Sequence, residues 1–335
     1  MNAYPPTRPA PNDEPGASPR AFDVVVVGGG PAGLSAALIL GRARRSVLVC
    51  DDGKPRNVVA RWTHGFLTRD GAEPKELLRL AREEVSRYGV ALLPGTVAAA
   101  RRLVGAPAGG AAFEVTHEDG RSFRARKLLL ATGVEDVLPE IPGVREFFGR
   151  GVFECPYCDG WEHRDRRLVA FGDGSAAVGL ALSLRSWSAA VTACPNGSAV
   201  SDRDRRQLKR LGIALRPERV AGLEGREALA RVTFEGGGSL ECDAFFFNTG
   251  KVQRSPLPAA LGCERNDKDE LVTGPKQCSR VPGVFVAGDA DGHVQFVIVA
   301  AAEGATAAVA INRELQEEDR GEVSRPVKAR HGTGA

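Results

Sequence analysis

Two glycine-rich loops, Gly28-Gly29-Gly30-Pro31-Ala32-Gly33 and Gly172-Asp173-Gly174-Ser175-Ala176-Ala177, bracket the dithiol motif Cys155-Pro156-Tyr157-Cys158. Each signal is modest alone; their order is the constraint. A nucleotide site, a dithiol and a second nucleotide site describe a chain that moves electron pairs between a bound cofactor and a disulfide. Cysteines spaced in this way can close into a disulfide and reopen, and a flavin or nicotinamide supplies or takes the two electrons.

The first loop is set in a complete local pattern. Phe22-Asp23-Val24-Val25-Val26-Val27 is rich in β-branched residues without polar alternation, which predicts a parallel strand buried on both faces. A helix follows from Pro31 and Ala32 to Leu40. Gly28 is expected to make the tight turn, Gly30 to let backbone approach a pyrophosphate, and Gly33 to bring helix close to strand. The next strand, Ser46 to Cys50, ends at Asp51-Asp52, and Asp51 lies 18 residues past Gly33, where a carboxylate accepts the hydroxyls of an adenosine ribose. Further on, Lys127 to Ala131 reads as a buried strand ending in Thr132-Gly133. The runs Ala111–Thr116 and Arg121–Arg126 flank a hairpin signal at Asp119-Gly120. Gly283-Val284-Phe285-Val286-Ala287-Gly288-Asp289 repeats the pattern of strand, glycine and acid.

With 335 residues the chain is long enough for two domains with proper cores. No apolar stretch free of charge reaches the ~18 residues of a membrane span. The 45 cationic and 42 acidic residues give a net charge of +3 and no long basic block, so nothing favours nucleic acid. Residues 1–20, with six prolines from Pro5 to Pro19, are expected to be a disordered leader without the apolar region of a secretory signal. Seven cysteines in that context predict a reducing, cytoplasmic location. Cys50 and Cys194 lie in apolar strand-like runs and read as buried small hydrophobes.

Taken in order, GGGPAG, a mid-chain ATG, CxxCDG, GDGSAA and a late VFVAGD resemble the low-molecular-weight thioredoxin-reductase-like flavoproteins over residues 22–315. The resemblance implies FAD in the first site, with Asp289 on the flavin's ribityl chain. It also implies that Cys158 faces the flavin, that Cys155 is the interchange thiol, and that Asp159 delivers and takes protons at the departing sulfur. The last role has a direct chemical reason, because thiol–disulfide exchange needs a proton delivered to whichever sulfur leaves. His163 is a second candidate for that work, although the basic run around it reads as an exposed surface. Zinc is disfavoured, since no second CxxC or Cys-His pair exists. Structural thiols are the other alternative. A turn after Cys155 is expected to place backbone N–H groups near sulfur and so favour thiolate.

The second loop, with candidate contacts Gly172, Gly174, Ser175 and Ala176, follows the strand Arg167–Phe171. Its next strand ends at Cys194 and runs into Pro195-Asn196-Gly197, where NADPH-using thioredoxin reductases carry His-Arg-Arg. The clamp for a 2′-phosphate is therefore missing from its usual place. Arg203, Arg205 and Arg206 either replace it or form the solvated start of a helix, which leaves NADPH, NADH or neither open as donor. Near the flavin, Gln295-Phe296-Val297 stands where the family has Arg-Gln-Ala. Both departures resemble the gliotoxin- and holomycin-type dithiol oxidases, as do Arg56-Asn57 and His64-Gly65-Phe66.

The expected fold class is α/β, with two Rossmann-like, three-layer ββα nucleotide-binding domains, the second inserted into the first. Residues 21–136 and 250–318 are expected to form the FAD domain, 137–249 the NAD(P)-like domain carrying the dithiol, and 319–335 a disordered tail. Expected partners are a thioredoxin-like protein or a small dithiol or disulfide, with no nucleic acid and no membrane. The resemblance also implies a homodimer. A flavin-holding sensor without catalysis is the alternative of another class.

Overall fold

The computed structural model describes residues 19–105 and 109–321; the leader and tail expectations otherwise fall outside the described residues. The chain divides into two compact units, Met1–Val58 with Glu73–Glu135 and Gln253–Ala335, and Val59–Ala72 with Asp136–Val252. Residues 59–72, expected with the first domain, thus belong to the second unit.

Elements are numbered in chain order. In the first unit, β1 (Arg20–Val27), α1 (Pro31–Arg42), β2 (Val47–Asp51), α2 (Pro74–Ser86) and β3 (Ala91–Pro94) alternate, followed by β4 (Val97–Arg102), β5 (Phe113–His117) and β6 (Ser122–Leu130). The sheet order is β3-β2-β1-β6-β5-β4, with β17 (Val284–Val286) also beside β6. β1 runs parallel to β2 and β6, with Val24 opposite both Val47 and Lys127. The lack of alternation in β1 follows from burial on both sides. Val25 and Val27 pack with Phe113, Leu128 and Leu130, while Val24 and Val26 pack with Leu34, Leu40 and Ile311.

The hairpin strand and the buried strand read separately from the sequence are one element. The first half of β6 pairs antiparallel with β5, and its last residues pair parallel with β17. Residues in the acidic stretch read as tail are also structured: α8 (Val297–Asp319) is helical throughout. Its last turns are held by Lys127 on Glu314 (2.7 Å) and Glu318 (2.6 Å), by Arg126 on Glu318 (2.9 Å), and by Arg45 on Asp319 (2.7 Å).

In the second unit, β8 (Val152–Phe153), β9 (Leu168–Phe171), β10 (Val191–Cys194), β11 (Ala214–Leu215) and β15 (Ala244–Phe247) form a parallel sheet in the order β11-β10-β9-β15-β8. One face packs on α5 (Ser175–Leu184) and α6 (Asp202–Arg210) through Phe246, Val178, Leu184 and Leu208. The other packs through Phe171, Phe245 and Phe247 on the antiparallel β12 (Val220–Gly225), β13 (Leu229–Phe234) and β14 (Ser239–Glu241). This is a three-layer ββα arrangement. The short α3 (Val144–Phe147) and α4 (Pro156–Asp159) also belong to this unit. β7 (Val134–Asp136), β16 (Lys251–Gln253) and α7 (Leu257–Ala260) lie at or just after crossings between units. Among the described residues no helix is long and apolar enough to cross a membrane.

Candidate active site

In the first unit four strand ends build one cradle. β1 passes into Gly28, whose φ of +107° and lack of a side chain are both required, because a Cβ would collide with the Ala131 carbonyl at the end of β6. A Cβ on Gly33 would strike the Gly28 carbonyl, so α1 packs on the loop backbone to backbone. Gly30 differs, since a Cβ there meets nothing within 4 Å. It is the N-cap of α1 and offers no side-chain cap, so the first-turn N–H groups face open space.

The two acids after β2 diverge. Asp51 accepts the Gly29 N–H at 3.0 Å and Arg82 at 2.9 Å, which fixes its carboxylate beside the loop. Asp52 is engaged by Arg254 at 2.7 Å and by the Lys54 N–H at 3.1 Å. At the end of β6, the Thr132 hydroxyl is buried with no hydrogen-bond partner among the described residues, and Gly133 turns with φ +64°. After β17, the Gly288 N–H donates to Glu303 at 2.7 Å, and a Cβ at Gly288 would press on Ala32. Asp289 accepts from Arg56 at 2.9 Å, and Gln295 donates to the Asp289 carbonyl at 3.3 Å. An uncapped helix start, a glycine cradle with room at Gly30, and an orphaned buried hydroxyl fit a dinucleotide with a pyrophosphate. Gly28, Gly30, Pro31, Ala32, Gly33, Asp51, Thr132, Gly133, Gly288, Asp289 and Gln295 would hold it; Asp52 is committed to Arg254.

The dithiol is in the second unit. β8 delivers Cys155, which is joined to Cys158 in a disulfide with Cα atoms 5.3 Å apart. Cys155 caps α4, and its sulfur accepts the Cys158 N–H at 3.2 Å. Burial, reinforced by Glu162 and Glu154 and opposed by His64, pushes the Asp159 carboxyl up to about 7. The burial-raised thiols of Cys50, Cys194 and Cys242, each pushed up to about 12, are inert by comparison.

His163 is not the exposed residue that its basic neighbours suggested. Its ring packs on Phe153 at 4.8 Å, and its Nδ1 lies 2.9 Å from the Asp159 carbonyl oxygen, because Phe153 and Phe246 offer an apolar wall. A functional residue passed over for a chemical role is His64. Its Nε2 is buried without a hydrogen-bond partner, 3.5 Å from Glu162, and its Nδ1 lies 3.4 Å from Asp70. The only sequence signal was the His64-Gly65-Phe66 string. Tyr157, between the two cysteines, and Trp161 stand 70% and 64% exposed; Tyr157 meets Trp187 edge-on, and Arg164 lies over the Trp161 ring.

The second glycine loop is formed, with Gly174 at φ +47° capping α5. The segment after β10 lies along it: the Ala199 carbonyl is 3.0 Å from where a Gly174 Cβ would stand, and Ser198 reaches the Asp173 carboxylate at 3.4 Å. Pro195-Asn196-Gly197 spends its polar groups internally. Asn196 accepts the Val220 N–H at 3.1 Å, and the Gly197 N–H donates to Pro217 at 2.9 Å. Arg203, Arg205 and Arg206 are exposed on α6, and Arg205 donates to the Val200 carbonyl at 3.2 Å. Arg219, not singled out by any motif, packs against Gly197.

A dinucleotide cradle in one α/β unit and a CxxC disulfide in a second, three-layer unit define a two-unit disulfide oxidoreductase. The chain belongs to the pyridine nucleotide-disulphide oxidoreductase family, whose model matches residues 22–304. It is 35% identical over 333 residues to a probable thioredoxin reductase of Arthroderma benhamiae, covering 89% of this chain and 81% of that one. Among solved structures, the crystal structure of HlmI superposes with a TM-score of 0.86 at 37% identity, covering 90% of this chain and 94% of HlmI. The putative thioredoxin reductase TrxB of Bacillus anthracis gives 0.83 at 32% identity, with 89% and 99% covered. These findings bear out the resemblance to low-molecular-weight thioredoxin-reductase-like proteins and the α/β fold. The chain is an oxidoreductase, and FAD is its cofactor.

Proposed function

We propose that the chain exchanges electron pairs between FAD held in the first unit and the Cys155/Cys158 pair, and between that pair and an external dithiol or disulfide. The observation that carries this reading is the Cys155–Cys158 disulfide next to a carboxyl poised near neutral pH. In the oxidising direction a substrate thiolate attacks Cys155, the bond to Cys158 breaks, and Asp159 gives the departing Cys158 sulfur its proton. The second substrate thiol then attacks the mixed disulfide, a substrate S–S bond forms, and Cys155 leaves. The substrate has lost two electrons and two protons, and the cysteine pair has gained them. Bound FAD supplies the two-electron acceptor or donor that resets the pair. Asp159 exchanges the protons, and His64 opposes the raising effect of Glu162 on its carboxyl. Tyr157 and Trp161 seat the apolar part of the substrate.

The second glycine loop favours operation as a dithiol oxidase independent of NADPH. The loop carries the Asp173 carboxylate, an unfavourable charge for an anionic ligand, and Pro195-Asn196-Gly197 has no cationic side chain of its own, with Arg219 packed against Gly197. Anaerobic titration of the flavin-loaded protein tests this. Dithiothreitol should bleach the visible flavin band, and an equal concentration of NADPH should leave it unchanged over the same time. Fast bleaching by NADPH would make the protein a pyridine-nucleotide-driven thioredoxin reductase, and indifference to both reagents would leave only a flavin-holding sensor.

Asp159→Asn separates the proton role from a structural one. Because the folded protein holds this proton at pH values where the unfolded chain, with a carboxyl near 3.8, has lost it, Asp159 costs stability progressively from about pH 4 to pH 7 and fully above. The variant should therefore melt higher than the parent at pH 8, with the gain shrinking towards pH 4. Turnover should fall by roughly 10²–10⁴-fold. Thermal melts at both pH values and steady-state dithiol oxidation give the two readouts; a variant less stable at pH 8 contradicts the argument.

A further inference from the structure

The start of α8 carries no arginine, yet a guanidinium stands there. Arg56, just beyond β2, donates through Nη1 to Asp289 at 2.9 Å and to the Gln295 side-chain oxygen at 2.7 Å. Gln295 closes the ring by donating to the Asp289 carbonyl. The Arg56 and Asp289 side chains are only 20% and 21% exposed. On the other side of the same turn, Glu303 holds the Gly288 N–H and pairs with His293, so the acid-bearing turn is gripped from both flanks. Phe296 offers α8 no side-chain cap. A cation and the positive end of a 23-residue helix therefore meet at one corner of the cradle.

From this geometry we infer that Arg56 is a positioning residue for the cofactor, fixing Asp289 and Gln295 and supplying the positive charge that raises the reduction potential of bound FAD. The inference rests on the reading of the first unit as the FAD site. Taking up an electron pair adds negative charge to the cofactor; Arg56 offsets the Asp289 carboxylate it pairs with, and without it that carboxylate would oppose the reduced state uncompensated. Both bonds leave one guanidinium nitrogen, at the end of a longer side chain than lysine's; an ammonium keeps the charge but with a shorter reach to the two acceptors.

Arg56→Gln and Arg56→Lys divide charge from geometry. The flavin-loaded proteins are equilibrated with a reference redox dye, and FAD release is followed by fluorescence after dilution. Arg56→Gln should lower the equilibrium constant for flavin reduction about tenfold, which is ~30 mV for a two-electron couple. Arg56→Lys should keep that constant within threefold of the parent while releasing FAD severalfold faster. An unchanged potential in Arg56→Gln, or a fall in Arg56→Lys as large as in Arg56→Gln, overturns the inference. Should Arg56→Gln fail to fold, the split between potential and release in Arg56→Lys still decides. The dye reads the flavin without the cysteines, so a parent protein whose flavin ignored Cys155 and Cys158 would defeat the proposed reaction and leave this test standing.

Discussion

Cys158→Ser should abolish dithiol turnover, by roughly 10⁴-fold or more, while the purified protein stays yellow. The chemistry allows no bypass among the described cysteines. Cys50, Cys194 and Cys242 are buried, and burial pushes their thiols up to about 12, so none offers a thiolate at neutral pH. Cys263 is also buried, and Cys263 and Cys278 are raised by burial as well. Serine is close in shape to cysteine, and Cys158 is only half-buried, so α4 should persist. The cofactor cradle shares no residue with the dithiol: Gly28, Asp51, Thr132 and Asp289 all lie in the other unit. Flavin content and anaerobic bleaching by dithiothreitol separate the two properties. A variant that turned over at the parental rate would show that the reaction does not run through this pair.

Gly28→Ala should cost several kcal/mol of stability and the cofactor together. The position requires φ +107°, and an added methyl group meets the Ala131 carbonyl, a backbone atom at the end of β6 held by the sheet. Collision and left-handed strain each rank among the few causes of large single-residue losses, about 4 kcal/mol or more when combined. Gly30→Ala is the internal comparison. With φ −76° and no neighbour within 4 Å, it should leave the melting temperature nearly unchanged. Its methyl group points into the space that a pyrophosphate needs, so FAD affinity should drop all the same. If Gly30→Ala bound FAD as the parent does, the loop would not be the phosphate cradle. If Gly28→Ala melted normally, the close approach of β1 and β6 would be wrong.

What the sequence made legible was whatever depends on near neighbours in the chain. The run Val24–Val27, the glycine spacing and the strand ending in Asp51 needed only local pattern, and each is found as an element of that kind. Long-range pairing was out of reach. Asp319 looks like tail until Arg126 and Arg45 are seen to pair with it from far earlier in the chain. His163 looked exposed because its charged neighbours outweigh one Phe153 ten positions earlier in any local reading. Nothing near Arg56 announces an acid 233 positions later. His64 is the clearest case: its string was noticed, but its place beside Glu162 depends on a loop leaving one unit to join the other.

That loop has a practical outcome for anyone dissecting the enzyme. A gene fragment encoding 136–252 would contain both redox sulfurs and Asp159 but would lack His64, which arrives on residues 59–72. Excised alone, such a fragment would carry Asp159 without the imidazole that opposes Glu162 in the intact chain. A fusion that grafts the missing fourteen-residue strip back onto the fragment would return His64, so the working module is encoded in two pieces.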